Sequence, residues 1–282
     1  MKIALTGGSG IVGAAILDMA LARGDEMIVI DRVAPPAERK GVRWIVASTD
    51  DYDVLLDAFA GCEAVIHMAA LPRPGLAPEH VTHNNNVVGS YNALHAATAQ
   101  GIRRICQASS VNAIGLSYSR ASHLHYLPVD EKHPNSAEEP YSLSKWICEQ
   151  QADAFARRFE DVQIASLRFH WVAESRDVPL NGYARMPEES VGKHLWGYTL
   201  LGAAARASLA AVDAGRFIGH EVFYITAPDT ASDTPTLELA RKHHPDIPLR
   251  GDLSGHRSLF DASKAERLLG WVHGERDAPS QA

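Results

Sequence analysis

A short apolar run, Lys2-Ile3-Ala4-Leu5-Thr6, leads into Gly7-Gly8-Ser9-Gly10-Ile11-Val12-Gly13, and an amphipathic stretch continues to Ala22 with Gly24 just beyond it. A strand that turns through glycines into a helix suits folds in which backbone passes close to a neighbour or a ligand. Gly7 permits the tight turn, Gly10 lets the backbone approach a pyrophosphate, and Gly13 lets the helix lie close on the sheet, while the helix start at Ile11 faces phosphate charge. A second apolar run, Met27-Ile28-Val29-Ile30, ends in Asp31, at roughly the 20-residue offset of a ribose-binding acid. A carboxylate there accepts hydrogen bonds from a ribose 2′-hydroxyl and repels a 2′-phosphate. Asp31 therefore favours NAD over NADP, a preference that Arg32 beside it softens.

Further along, strands and helices alternate as a parallel sheet with crossover helices demands. Strands are expected at 42–46, 64–68 and 104–108, with helices at 52–60 and 79–100 between them. The predicted fold is α/β, a Rossmann-like doubly wound parallel sheet with a small discontinuous substrate lobe. Residues 1–171 are expected to form the dinucleotide-binding domain, completed by 194–226, and residues 172–193 and 227–282 the lobe. Within the lobe a helix is expected at 235–242 with Thr234 as its N-cap, and another at 262–269 ended by Gly270.

Composition supports a globular enzyme: 46% of the 282 residues are hydrophobic and 22% charged. The net charge of −7 and the absence of a Lys/Arg block argue against a nucleic-acid-binding surface. No apolar run approaches the roughly 20 residues of a membrane span, and the N-terminus enters a strand at once, so neither a membrane nor a secretory route is expected. Three cysteines without C-x-x-C spacing imply neither a disulfide framework nor a zinc site and suit a reducing cytoplasm. The pairs His80/His83 and His123/His125 lack a third ligand, so no metal is expected. His67 is expected to be a core histidine bonded to backbone.

The second chemical signature is Tyr141-Ser142-Leu143-Ser144-Lys145 behind Pro140, which suits a helix entrance. Four residues place Tyr141 and Lys145 on one helix face. The Lys145 ammonium and a positive nicotinamide ring would favour the phenolate and lower the phenol's pKa from its ordinary value near 10. Ser110, delivered with Ser109 at the end of the 104–108 strand, would hold the substrate oxygen while Tyr141 moves the proton. His170 and Trp171, at the carboxyl end of a later strand, are candidate substrate contacts. The long segment 115–140, rich in Ser, His, Pro and acidic residues, is a candidate substrate lid.

These residues resemble the extended short-chain dehydrogenase/reductase family of NAD-dependent epimerases, dehydratases and dehydrogenases. The resemblance rests on Thr6-Gly7-x-x-Gly10-x-x-Gly13, Asp31, His67-Met68-Ala69-Ala70, Asn86-Val87-Val88-Gly89, Ser109-Ser110 and Tyr141-x-x-x-Lys145, in the family's order. It implies that Tyr141 is the catalytic acid/base, that Lys145 binds the nicotinamide ribose, and that Ser110 is the third catalytic group. It further implies that Asn86 lies near the cofactor and that Ala69 and Ala70 border it through backbone. Where the family often has Gly-Asp after its third strand, this chain has Ala47-Ser48, which moves adenine recognition to Ser48, Asp50 or backbone groups. Where nucleotide-sugar epimerases usually have R-x-x-N, it has Arg168-Phe169-His170-Trp171, and Trp171 in place of asparagine weakens the case for a UDP-sugar. Leu200 stands where relatives commonly place an aspartate, at a cost of at most a helix cap, roughly 1 kcal/mol. The run Ser109-Ser110-x-Asn112-x-x-Gly115 partly resembles uronate dehydrogenases and adds Asn112 as a substrate candidate, although Val111 intervenes between serine and asparagine.

The expected activity is NAD-dependent oxidation of a hydroxyl on a small polyhydroxylated substrate, a sugar or sugar acid. The alternatives are a nucleotide-sugar 4-epimerase with tightly held NAD and a non-catalytic dinucleotide-sensing protein. The resemblance also implies a homodimer through the helices at 79–100 and 141–159.

Overall fold

The computed structural model describes residues 1–274 apart from 36, 214 and 216. Its strands are β1 (Lys2–Thr6), β2 (Glu26–Asp31), β3 (Val42–Val46), β4 (Ala64–His67), β5 (Arg104–Ser110), β6 (Gln163–Phe169), β7 (Val172–Ala173), β8 (Thr199–Leu200) and β9 (Gly219–Ile225). Its helices are α1 (Ile11–Ala22), α2 (Tyr52–Phe59), α3 (Glu79–Ala99), α4 (Pro140–Arg158), α5 (Asp177–Tyr183), α6 (Glu188–Val191), α7 (Leu201–Asp213), α8 (Thr236–His243) and α9 (Ser263–Leu269).

Seven of the strands form one sheet in the order β3-β2-β1-β4-β5-β6-β9, and each neighbouring pair is parallel. The order reverses between β1 and β4, and the strands' carboxyl ends open a crevice there, where open α/β sheets bind ligands. The central strands read as continuous apolar runs because both faces are covered. Alternate residues divide between the faces: Ile3, Leu5, Met27, Val29 and Ile66 pack with α1 and α7, and Ala4, Ile28, Ile30, Val65 and Ile105 with α2, α3 and α4. Each large aliphatic side chain buried this way contributes roughly 1.5–3 kcal/mol.

A separate apolar core lies beyond the sheet's carboxyl edge, and it draws on more of the chain than the sequence suggested. Leu116, Leu124, Leu127 and Val129 enter it from the segment expected as a lid, and Leu195, Trp196 and Tyr198 from the stretch expected to complete the sheet domain. Backbone bonds fix that segment: Val129 N donates to Leu259 O and Asp261 N to Val129 O, each at 2.8 Å. The segment 115–140 thus anchors itself in the lobe's core through a few apolar side chains, while Ser117 and Tyr118 line the main cavity. Conversely, Ala265, Leu269 and Trp271 join the core on the sheet's α1/α7 face.

Helix ends follow local chemistry. Gly270 ends α9 with φ +66°. The N-cap of α8 is Pro235 and not Thr234, since the chain enters the helix one residue later than its apolar pattern implied. Among the described residues no helix is long and apolar enough to cross a membrane.

Candidate active site

The glycine turn connects β1 to α1. Gly7 has φ +75°, and a Cβ there would stand 2.6 Å from the Ala69 nitrogen. A Cβ at Gly13 would overlap the Gly7 carbonyl. At Gly10 the same construction meets only the Gly7 oxygen, at 3.4 Å, so packing of the protein itself demands little there. Gly10 faces the cavity, and a bare backbone at the head of a helix is what a pyrophosphate needs. The turn therefore fits a dinucleotide.

Asp31 ends β2 beside this turn. One carboxylate oxygen accepts from the Ser9 nitrogen (2.9 Å) and hydroxyl (2.7 Å), and the other accepts from Val33 N at 3.0 Å. Arg32 is exposed, Ser48 is half-buried after β3, and Asp50 is exposed. Asp31, Arg32, Ser48 and Asp50 lie along the sheet's carboxyl edge, outside the walls of the main cavity.

That cavity, about 790 Å³, runs from the turn to the lobe. Gly7, Gly10, Ile11, Gly13 and Ala70 line its sheet end; Ser110, Asn112, Tyr141 and Lys145 its middle; His170 and Trp171 its lobe end. Ala69 stands behind the wall, with its nitrogen donating to Thr6 Oγ1 at 3.3 Å. Arg73, Tyr118, Met186 and His194 also line the cavity, and the sequence reading missed them because loops brought together by the fold leave no periodic trace.

Tyr141 occupies the first turn of α4. Glu139 caps that helix: its two carboxylate oxygens accept from Tyr141 N (2.7 Å) and Ser142 N (2.6 Å), with Pro140 at the first helical position. The Tyr141 ring is 5% exposed and meets the edge of Tyr118 with centroids 5.8 Å apart. Burial pushes its phenol above the ordinary value, and the Ser110 hydroxyl opposes that shift. In the protein alone desolvation outweighs the neighbouring groups, and the lowering expected beside Lys145 and a nicotinamide ring has to overcome it. Lys145 is buried, its Nζ donates to Ala108 O at 2.9 Å, and burial lowers its pKa.

The two serines divide their roles. Ser110 Oγ accepts from the nitrogen (3.1 Å) and side-chain amide (3.4 Å) of Asn112, which leaves its O–H to donate toward Tyr141, whose phenolate it favours. Ser109 donates to Glu149 Oε1 at 2.6 Å. Glu149 in turn holds Arg168 with a buried bidentate pair at 2.8 and 2.7 Å, which ties α4 to β6 beneath the site.

Three other candidates take supporting positions. Asn86 is 2% exposed; it accepts from Leu71 N (2.8 Å) and donates to Leu71 O and Ser144 Oγ (both 3.1 Å), so it fixes the loop after β4 and does not face the cavity. His170 has both ring nitrogens engaged: Nδ1 accepts from Trp171 N at 2.6 Å and Nε2–H donates to His194 O at 2.8 Å. Burial and His194 push its pKa down to about 3, so it is a neutral anchor for the Trp171 backbone rather than an acid or base. His67 is the expected core histidine, but its partner is the Thr6 hydroxyl at 2.7 Å, a side chain and not backbone.

The profile of the NAD dependent epimerase/dehydratase family matches residues 3–186. The chain belongs to that family. That family is one of NAD-dependent enzymes. The chain is 29% identical over 184 residues to an L-arabinose 1-dehydrogenase (NAD(P)(+)) of Haloferax volcanii, covering 63% of this chain and 69% of that one. It is 31% identical over 190 residues to a putative UDP-glucose 4-epimerase of Methanocaldococcus jannaschii, covering 63% of this chain and only 58% of that one. Among solved structures, a short-chain dehydrogenase/reductase superfamily protein of Agrobacterium tumefaciens with bound NAD superposes at a TM-score of 0.73 with 22% identity, covering 98% of this chain and 93% of that one. A UDP-glucose 4-epimerase of Thermotoga maritima with UDP-glucose superposes at 0.72 with 19% identity, covering 98% and 94%. Such low identities establish the shared fold.

Proposed function

We propose that this family member oxidises a hydroxyl of a small polyhydroxylated substrate, a sugar or sugar acid, with net formation of NADH. The observation that carries this reading is the gathering of Ser110, Tyr141 and Lys145 in one cavity with the glycine turn. Gly7, Gly10 and Gly13 would seat the pyrophosphate, Asp31 the adenosine ribose and Lys145 the nicotinamide ribose. NAD, when bound, supplies the hydride acceptor and a positive ring beside Tyr141. With NAD bound, Ser110 would hold the substrate oxygen, and Tyr141, as the phenolate that the positive ring and the Lys145 ammonium would favour, would take the hydroxyl proton and become the neutral phenol. The large indole of Trp171 on the lobe side supports a compact substrate over a nucleotide-linked one.

The test is NADH absorbance with NAD and a panel of free sugars, uronic acids and UDP-sugars. We expect NADH to accumulate with a free sugar or sugar acid, and Tyr141→Phe to lower turnover by about 10²-fold or more with NAD affinity retained. Altered UDP-sugar stereochemistry without NADH would replace this reading with an epimerase; unchanged turnover in the variant would remove Tyr141 from the mechanism.

We also propose a homodimer in the cytoplasm. Val81, Val88 and Tyr91 are exposed on α3, Leu143, Trp146 and Ile147 are half-buried on the adjacent α4, and the cysteines are all free. A monomeric mass in solution at micromolar concentration would exclude the dimer.

A further inference from the structure

The chain carries a net charge of −7, yet no aspartate or glutamate is among the described residues that line the main cavity. Two basic side chains do line it, Lys145 and Arg73. Lys145 is buried and committed to the Ala108 carbonyl. Arg73 is exposed, and among the described residues its guanidinium has neither an ion-pair nor a hydrogen-bond partner.

Arg73 is also well placed. Asn86 clamps the backbone of Leu71, two residues before it, through both its nitrogen and its carbonyl. Burial raises the Tyr118 phenol, Arg73 opposes and Glu139 reinforces that shift, and the Tyr118 ring meets the edge of Tyr141. Ser117, on the same wall, has a buried hydroxyl without a partner, although its nitrogen donates to Asn112. The cavity around Tyr141 thus offers hydrogen-bond donors and positive charge with no carboxylate in its lining; Glu139, whose charge reaches Tyr141 and Tyr118, is held as the cap of α4 by Tyr141 N and Ser142 N. A neutral sugar is commonly gripped by carboxylates that accept from its hydroxyls; this wall has none. A ligand carboxylate, by contrast, matches the planar donor fork of a guanidinium.

We propose that Arg73 is the substrate-binding residue that selects a carboxylate, and that the substrate of the oxidation proposed above is a polyhydroxylated monocarboxylate, a sugar acid. The selection rests on that reading for the reaction but is measurable without turnover. The probes are D-glucuronate and D-glucose, titrated by calorimetry into the NAD-loaded protein and its Arg73→Gln and Arg73→Lys variants. We expect glucuronate to bind the parent about tenfold or more tighter than glucose. Arg73→Gln should remove that preference while leaving glucose and NAD affinities unchanged, and Arg73→Lys should restore part of it. Equal affinities in the parent, no glucuronate binding, or a preference that survives Arg73→Gln would overturn the proposal. Weakened NAD binding in Arg73→Gln would overturn it too, since the guanidinium would then serve the cofactor's pyrophosphate. Failure of the redox reading registers separately, as absent NADH with the binding preference intact.

Discussion

A methyl group added at Gly182 would overlap the six-membered ring of Trp171, whose indole also meets the edge of Tyr183 at 5.0 Å. That indole forms part of the cavity's lobe end, so the absence of one side chain on α5 sets the shape of the substrate side. Gly182→Ala should push the indole out of its seat, raise KM for the substrate several-fold with NAD affinity unchanged, and cost about 1–3 kcal/mol of stability. Steady-state kinetics and urea unfolding check both effects, and Trp171→Ala in the same chain should recover most of the stability. Unaltered KM in the single variant would show that the indole does not shape the substrate site. Other residues at this scale depended on partners far away in sequence. Tyr141 and Lys145 were legible because four residues on a helix always share a face, whereas the doubly bonded ring of His170 depends on His194, and the buried role of Asn86 on Leu71 and Ser144.

Among the elements, those of the sheet domain were the most legible. Parallel strands covered on both faces leave short apolar runs, and turn residues such as Gly24 after α1 and Pro140 at the head of α4 bound the helices between them. The element bounds differ from the sequence reading by a residue or two, as at β5, which continues through Ser109 and Ser110. The lobe was less legible. β7 and β8 are two residues each and pair only with one another, too short to leave an alternating pattern. The long segment before α4 looked like a free loop because its apolar residues, Leu116, Leu124, Leu127 and Val129, are spaced by no single period; they are buried by chain that arrives more than a hundred residues later.

Taken as a whole, the molecule keeps several histidines neutral by burial: His67 and His170 are pushed down to about 3, and His194 and His273 to about 4. In the unfolded chain each would titrate near 6.5. Below that value the unfolded state binds protons that the folded state refuses, so this contribution is full above pH 6.5 and is lost as pH falls toward the folded values. The slope is at most about 1.4 kcal/mol per pH unit for each histidine. Urea midpoints should hold steady above pH 7 and fall between pH 6.5 and 5, before carboxylates titrate, and His67→Gln should make that fall shallower. A midpoint unchanged from pH 7 to 5 would contradict the assignment.

The chain builds its lobe from several excursions and returns to the sheet for β9, which pairs with β6 along its full seven residues. Anyone trimming the protein to the recognisable stretch ending at 186 would therefore strip the flank from β6. Seven residues of backbone donors and acceptors would face water beside the strand that carries Arg168, in the form that invites strand-to-strand aggregation. A fusion or a shortened expression clone has to keep the return strand, however little it resembles the portion by which the protein is recognised.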